Sequence, residues 1–157
     1  MGSLFYLFNI MIQEEKQLLL KDLCGRLPYG VKCNVGEEIP YTLCRIEIDD
    51  RNGHLLDFIE TKGGLDMQVY LSEVKPYLFP LLSMTNELWD KEFRGYGITE
   101  FTRDSFKYGC EILEFTNSNP DLSNMVNFIN QLIKNHFDIY GLIPMGLAID
   151  ATELNIY

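Results

Sequence analysis

Two prolines four positions apart, Pro76 and Pro80 in LSEVKPYLFPLLSMTNEL (Leu71–Leu88), constrain this chain more than any other feature. Proline has no backbone N–H and a locked φ, so it breaks a helix and cannot donate to a sheet ladder. The stretch therefore predicts a corner, not a regular helix or a central strand, with Ser83 or Thr85 placed to start a helix behind it. Before the corner the apolar residues mostly alternate, as in strands. After it the clearest pattern has the three-to-four spacing of helices. The expectation is a small sheet folded over onto its covering helices.

Upstream, Ile12–Leu27 reads as a helix with Leu19, Leu20, Leu23, Cys24 and Leu27 on one apolar stripe. Glu14 and Glu15 fall in its first turn, where the helix dipole favours anions, and Pro28 stops it. A strand over Val31–Val35 follows. Tyr41–Asp49 is the clearest strand, with Thr42, Cys44, Ile46 and Ile48 on one face and Arg45, Glu47 and Asp49 on the other. Asn52-Gly53 predicts a tight type I′ hairpin into His54–Glu60. Lys62-Gly63-Gly64 turns the chain into Met67–Leu71, where Met67, Val69 and Leu71 share a face. Four such strands form an antiparallel meander that either curls into a small barrel or needs helices on its apolar face.

Downstream, Thr85 is placed to cap a short helix from Asn86 to about Phe93, ended by Gly95-Tyr96-Gly97. Ile98–Phe115 is rich in aromatics without a period, and a strand is expected near Glu111–Phe115. A second long helix runs from Pro120 to Lys134 with Asn119 as N-cap. Leu122, Met125, Val126, Ile129, Leu132 and Ile133 make its core-facing stripe. The tail HFDIYGLIPMGLAIDATELNIY should be buried extended chain and short turns. The fold class is α+β: one domain over 12–157, an antiparallel meander of four to five strands, barrel-like if it closes, against two main helices. Residues 1–11 (MGSLFYLFNIM) are either an apolar arm or the product of a start placed ahead of the true one at Met11. Their apolar run is too short to span a bilayer and lacks a signal peptide's basic flank, and Tyr6 stands where a myristoylation motif needs Ser or Thr.

Charge narrows the partners. With 13 Lys+Arg against 23 Asp+Glu, the chain carries a formal −10, spread evenly. That argues against direct binding of nucleic acid or of an anionic membrane, both of which need clustered cations. The four cysteines have no C-x-x-C spacing and read as small buried apolar residues in a reducing cytoplasm, although Cys33 and Cys44 could approach on neighbouring strands. No cofactor is expected. Gly63-Gly64 and Gly95-Tyr96-Gly97 lack phosphate-loop and dinucleotide spacing, and the metalloprotease and nucleophile-elbow motifs are absent. Asp49-Asp50-Arg51-Asn52-Gly53 is not a calcium loop, because aligning Gly53 with the invariant glycine puts Ile48 and Ile59 at ligand positions. Cys110 has no placed histidine to activate it. No metal site and no catalytic residue is expected.

Two features could carry binding. His136 and Asp138 set an imidazole near a carboxylate, although His136 could instead serve as a cation on the last carbonyls of the helix before it. Nine Tyr and ten Phe exceed what one small core requires, and Tyr96, Phe101, Phe106 and Tyr108 crowd the irregular segment.

The blocks EEKQLLLKDLCGRLPYGVK (Glu14–Lys32), EVKPYLFPLLSMT (Glu73–Thr85) and HFDIYGLIPMGLAID (His136–Asp150) resemble a family of small uncharacterised proteins of gut anaerobic bacteria and their prophages and mobile elements. That family has no established activity, so the resemblance implies no catalytic residues. It implies a bacterial or phage cytoplasmic setting and a natural start at Met11. Gly95–Asn117 lies outside the resemblance and reads as an insertion. The functional expectation is a non-enzymatic interaction protein that binds a protein partner or itself through an aromatic-rich face. The alternative is a small-molecule binder or enzyme with a pocket near His136–Asp138.

Overall fold

Helix α1 (Gln13–Arg26) opens the computed structural model, which describes residues 11–60, 66–96 and 122–157. The Glu15 carboxylate reaches back to accept from the Ile12 N–H at 3.1 Å, satisfying one of the donors a helix start leaves open. Leu19 and Leu23 are buried as expected, and Leu20 and Leu27 partly so. The stripe is rotated at Cys24, which is exposed, while Asp22 and Arg26 point inward. Those two charges share the Leu19–Leu23 face at helical spacing, and they can be buried because they pair with each other. A 3-10 turn, Leu27–Tyr29, carries Pro28, and Gly30 leaves it at φ 64°, a left-handed value that glycine adopts freely.

Six strands follow: β1 (Lys32–Asn34), β2 (Tyr41–Glu47), β3 (Leu55–Glu60), β4 (Asp66–Tyr70), β5 (Lys75–Leu78) and β6 (Ile149–Asp150). They form one open sheet in the order β4-β3-β2-β1-β5-β6. The first four are the expected antiparallel meander, β5 joins the free edge of β1 antiparallel, and β6 adds in parallel beside β5. The sheet must curl. Five Cα steps from Tyr70 to Lys75 reach at most about 18 Å, and part of that path is a 3-10 turn, Leu71–Glu73. In a flat sheet four strand spacings would already separate β4 from β5 by about 19 Å.

Several expectations are corrected. Pro76 does not exclude a strand inside the sheet: it stands opposite Cys33 in β5, between β1 and β6. The missing N–H is tolerated because the β1–β5 ladder is two residue pairs long and β6 pairs only with Tyr77 and Leu78, beyond the proline. In β2 the register shifts between Leu43 and Arg45, so Cys44 is an extra residue that reverses the alternation. Tyr41 and Leu43 face the core before this bulge and Ile46 after it, while Cys44 and Ile48 are exposed. Cys33 is buried and Cys44 is not, and both are free thiols. The β2–β3 connection is not a type I′ turn. Only Gly53 has a positive φ there, and the loop is held by the Asp49 carboxylate, which accepts from the N–H of Arg51 (2.8 Å) and Asn52 (3.1 Å).

Beyond β5, Ser83 donates back to the Pro80 carbonyl (2.7 Å), and Thr85 Oγ1 accepts from Leu88 N–H (3.1 Å) to cap helix α2 (Asn86–Glu92) as expected. Helix α3 (Leu122–Lys134) packs Phe128 and Leu132 against Trp89 and Phe93. Trp89 and Phe93 stack at 5.6 Å, and Phe128 meets both rings edge-on. This makes a second core beside the larger one between α1 and the sheet. The stripe expected on α3 is split: Leu122, Val126 and Ile129 are 73%, 51% and 39% exposed. Phe128, one position before Ile129, is the residue that turns inward.

The 1–10 arm, Lys62-Gly63-Gly64, the segment with Phe101, Phe106, Tyr108 and Cys110, the strand near Glu111–Phe115 and the Asn119-Pro120 cap lie outside the described residues. Among the described residues no helix is long and apolar enough to cross a membrane.

Candidate functional site

Helix α3 ends in a Schellman motif. Phe137 N–H donates to the Leu132 carbonyl and His136 N–H to the Ile133 carbonyl, each at 3.0 Å. This geometry needs a left-handed residue, and the chain uses His136, at φ 61°, where glycine is the usual choice. A side chain in that conformation costs on the order of 1 kcal/mol, so its presence asks for an explanation in what the imidazole does.

The cation expected of His136 comes from elsewhere. Arg26 donates to the carbonyls of Ile133 (3.2 Å) and Phe137 (2.6 Å) while forming a two-pronged pair with Asp22 at 2.7 and 2.8 Å. Burial pushes the Asp22 carboxyl up and the Arg26 guanidinium pulls against it. Asp22 and Arg26 were not among the candidates from sequence. Their only signal was i,i+4 placement on the apolar stripe of α1.

His136 is instead a buried, neutral ring. It is 8% exposed, and burial, helped by the charges of Arg26 and Lys32, pushes its pKa down to about 4. Nδ1 is sealed from solvent without a hydrogen-bond partner. An orphaned buried N–H is rarer than a bare acceptor, which places the proton on Nε2. The Tyr157 ring lies on the imidazole at 4.0 Å and 14°. Tyr157 is fixed in turn: its hydroxyl donates to the Tyr77 carbonyl (2.9 Å) and accepts from Lys32 N–H (3.0 Å), while Lys32 Nζ holds the Ile156 carbonyl at 2.6 Å.

Asp138 does not join His136. Both its oxygens accept backbone N–H groups, of Leu142 and Ile143, at 2.8 Å each, closing the turn that leads toward β6. The left-handed φ at His136 breaks the extended geometry that would put residues two apart on one face. Tyr96 ends a 3-10 turn (Arg94–Tyr96) and packs against the second core.

A cavity of about 520 Å³ opens beside His136. Phe79, Phe137 and Tyr157 give it aromatic walls, and Lys134 and Asn135 also line it. Besides the Tyr157 phenol, three aliphatic hydroxyls belong to its lining residues, and each makes a hydrogen bond: Ser83 with the Pro80 carbonyl, Thr85 with Leu88 N–H and Thr152 with Asp150 (2.6 Å). Among the described residues none of them is paired with a base. A larger hollow, about 770 Å³, lies between α1 and the 49–54 loop. Its lining is mostly polar and includes Asp50 as well as Asp49, whose carboxylate is taken up by the loop's own donors, so it reads as a surface groove. Among the described residues no cluster of His, Cys, Asp and Glu could hold a metal ion.

No protein-family model, curated protein or solved structure matches the chain.

Proposed function

We propose that the protein is a non-catalytic binder of a small molecule, held in the cavity beside His136. The observation that carries this reading is the imidazole: a neutral ring kept in a left-handed backbone position, buried against Tyr157, in the lining of the cavity. Concave, aromatic-walled sites with a few placed polar groups are the usual form of ligand pockets. A base with a pKa near 4 and hydroxyls that are each hydrogen-bonded elsewhere favour binding over turnover. The experiment is a ligand-observed NMR screen of a fragment set against the full chain, followed by the side-chain resonances of His136 and Tyr157. Hits that move both resonances are expected. A screen in which no fragment perturbs either one rejects the reading.

A second reading keeps association with a protein partner or with another copy of the chain, through an aliphatic face in place of the aromatic one, most of which lies outside the described residues. The exposed apolar side chains Leu122, Val126 and Ile129, on one face of α3, favour it. For either reading the proposed setting is the cytoplasm of a bacterium or its mobile elements, which rests on the resemblance.

A further inference from the structure

Where β1 and β5 part, the sheet holds a hydroxyl. The two strands pair at Cys33 with Pro76 and at Asn34 with Lys75, and continuing that register sets Lys32 opposite Tyr77. Lys32 and Tyr77 stand outside the ladder. The Lys32 N–H donates to the Tyr157 hydroxyl (3.0 Å), which donates on to the Tyr77 carbonyl (2.9 Å). A backbone donor and a backbone acceptor thus converge on one oxygen that must both accept and donate, as a hydroxyl can and an ether cannot. The ring that carries this oxygen has the His136 imidazole stacked on it at 4.0 Å and 14°, and Phe79 tilted against it at 5.8 Å. These contacts make a slot shaped for a phenol, and the chain fills it with its own side chain.

Tyr157 reaches the slot on a strap, Thr152–Tyr157, that follows β6. Thr152, Glu153, Leu154 and Asn155 are all exposed, and Tyr157 itself is 42% exposed. Among the described residues Thr152 bonds to Asp150 and Leu154 N–H to the Ala151 carbonyl, both local contacts. The strap is tied to the body at Tyr157 and at the Ile156 carbonyl, which the Lys32 ammonium holds at 2.6 Å. Segments with exposed backbone and few buried contacts open locally at low cost. Resting on the small-molecule reading, we infer that Tyr157 is a self-ligand: the slot binds small para-substituted phenols, which enter by displacing Tyr157 as the strap lifts. The strap is then an autoinhibitory contact, lowering the apparent affinity by the fraction of molecules in which the slot is open.

The test is an NMR titration of the full chain with p-cresol, 4-methylanisole and toluene, read at the His136 ring, in wild type, Tyr157→Ala and Tyr157→Phe. In Tyr157→Ala, p-cresol should bind about three- to tenfold more tightly than the other two, which leave the Tyr77 carbonyl without the hydroxyl's hydrogen bond. Wild type should bind p-cresol at the same ring about tenfold or more weakly, because its own ring competes. Its Tyr157 resonances should move to unstacked positions as it does so. Tyr157→Phe, which keeps the ring and loses both hydrogen bonds, should fall between the two. Three results overturn the proposal: p-cresol no tighter than 4-methylanisole in Tyr157→Ala, equal p-cresol affinity in wild type and Tyr157→Ala, or p-cresol bound to wild type with Tyr157 still stacked on His136. A wild type that takes up no p-cresol at about a hundred times the concentration that saturates Tyr157→Ala also overturns it. If Tyr157→Ala does not fold, Tyr157→Phe decides, and p-cresol affinity no greater than that of wild type overturns the proposal. In each of these cases fragment hits at His136 keep the small-molecule reading standing, and a screen without hits removes both.

Discussion

His136 combines a left-handed backbone, loss of hydration and a bare Nδ1, and its titration reports all of this. Its ordinary pKa of 6.5 applies in the unfolded chain, while burial holds the folded value at about 4. Between those values the unfolded chain takes up a proton that the folded protein refuses. This group therefore withdraws stability as pH falls from about 6.5 to 4 and contributes no pH dependence above that window. His136→Asn, which tolerates the same φ, should flatten that part of the melting-temperature profile. Melts of both proteins across this range check it; a wild-type-minus-variant difference that is constant with pH would show that the ring is not held neutral. The sequence marked His136 and Asp138 as bearers of chemistry. It could not show that they part company, because the separation comes from one dihedral angle set by the helix end.

At the scale of elements, the buried Asp22–Arg26 pair ties α1 to the end of α3 through the Ile133 and Phe137 carbonyls. Asp22→Asn leaves the guanidinium buried without its counter-charge and should cost about 3–5 kcal/mol in urea unfolding. Joint replacement, Asp22→Leu with Arg26→Met, should recover part of that loss. It should not recover all, since the two carbonyls then lose their donor. A double variant as unstable as Asp22→Asn would mean that shape, not charge, is what the pair supplies. Strands β1 to β4 were legible because apolar residues recur at alternate positions along much of each, between turn residues. Strand β5 was not, because Pro76 argues against an interior strand unless the ladders around it are known to be very short. The Cys44 bulge was equally hidden: an inserted residue leaves the composition of a strand unchanged and reverses only its facing.

Across the whole molecule, the formal charge of −10 keeps copies apart, so association needs a compensating apolar contact. If the exposed face of α3 provides one, the protein should run larger than a monomer in size-exclusion with light scattering. Val126→Lys should then return it to a monomer with stability within about 0.5 kcal/mol. A wild type that is monomeric at high concentration removes self-association from the second reading. The wall of the cavity has a different consequence, one of timing. The Lys32–Tyr157 hydrogen bond joins residues 125 positions apart, and β6 adds to the sheet in parallel beside β5. Contacts that close such long loops are slow to form and come after local structure. In refolding, the helices and the meander can therefore assemble before the Tyr157 wall closes. The cavity should thus be a late feature of refolding, with the side-chain resonances of Tyr157 recovering after those of the meander.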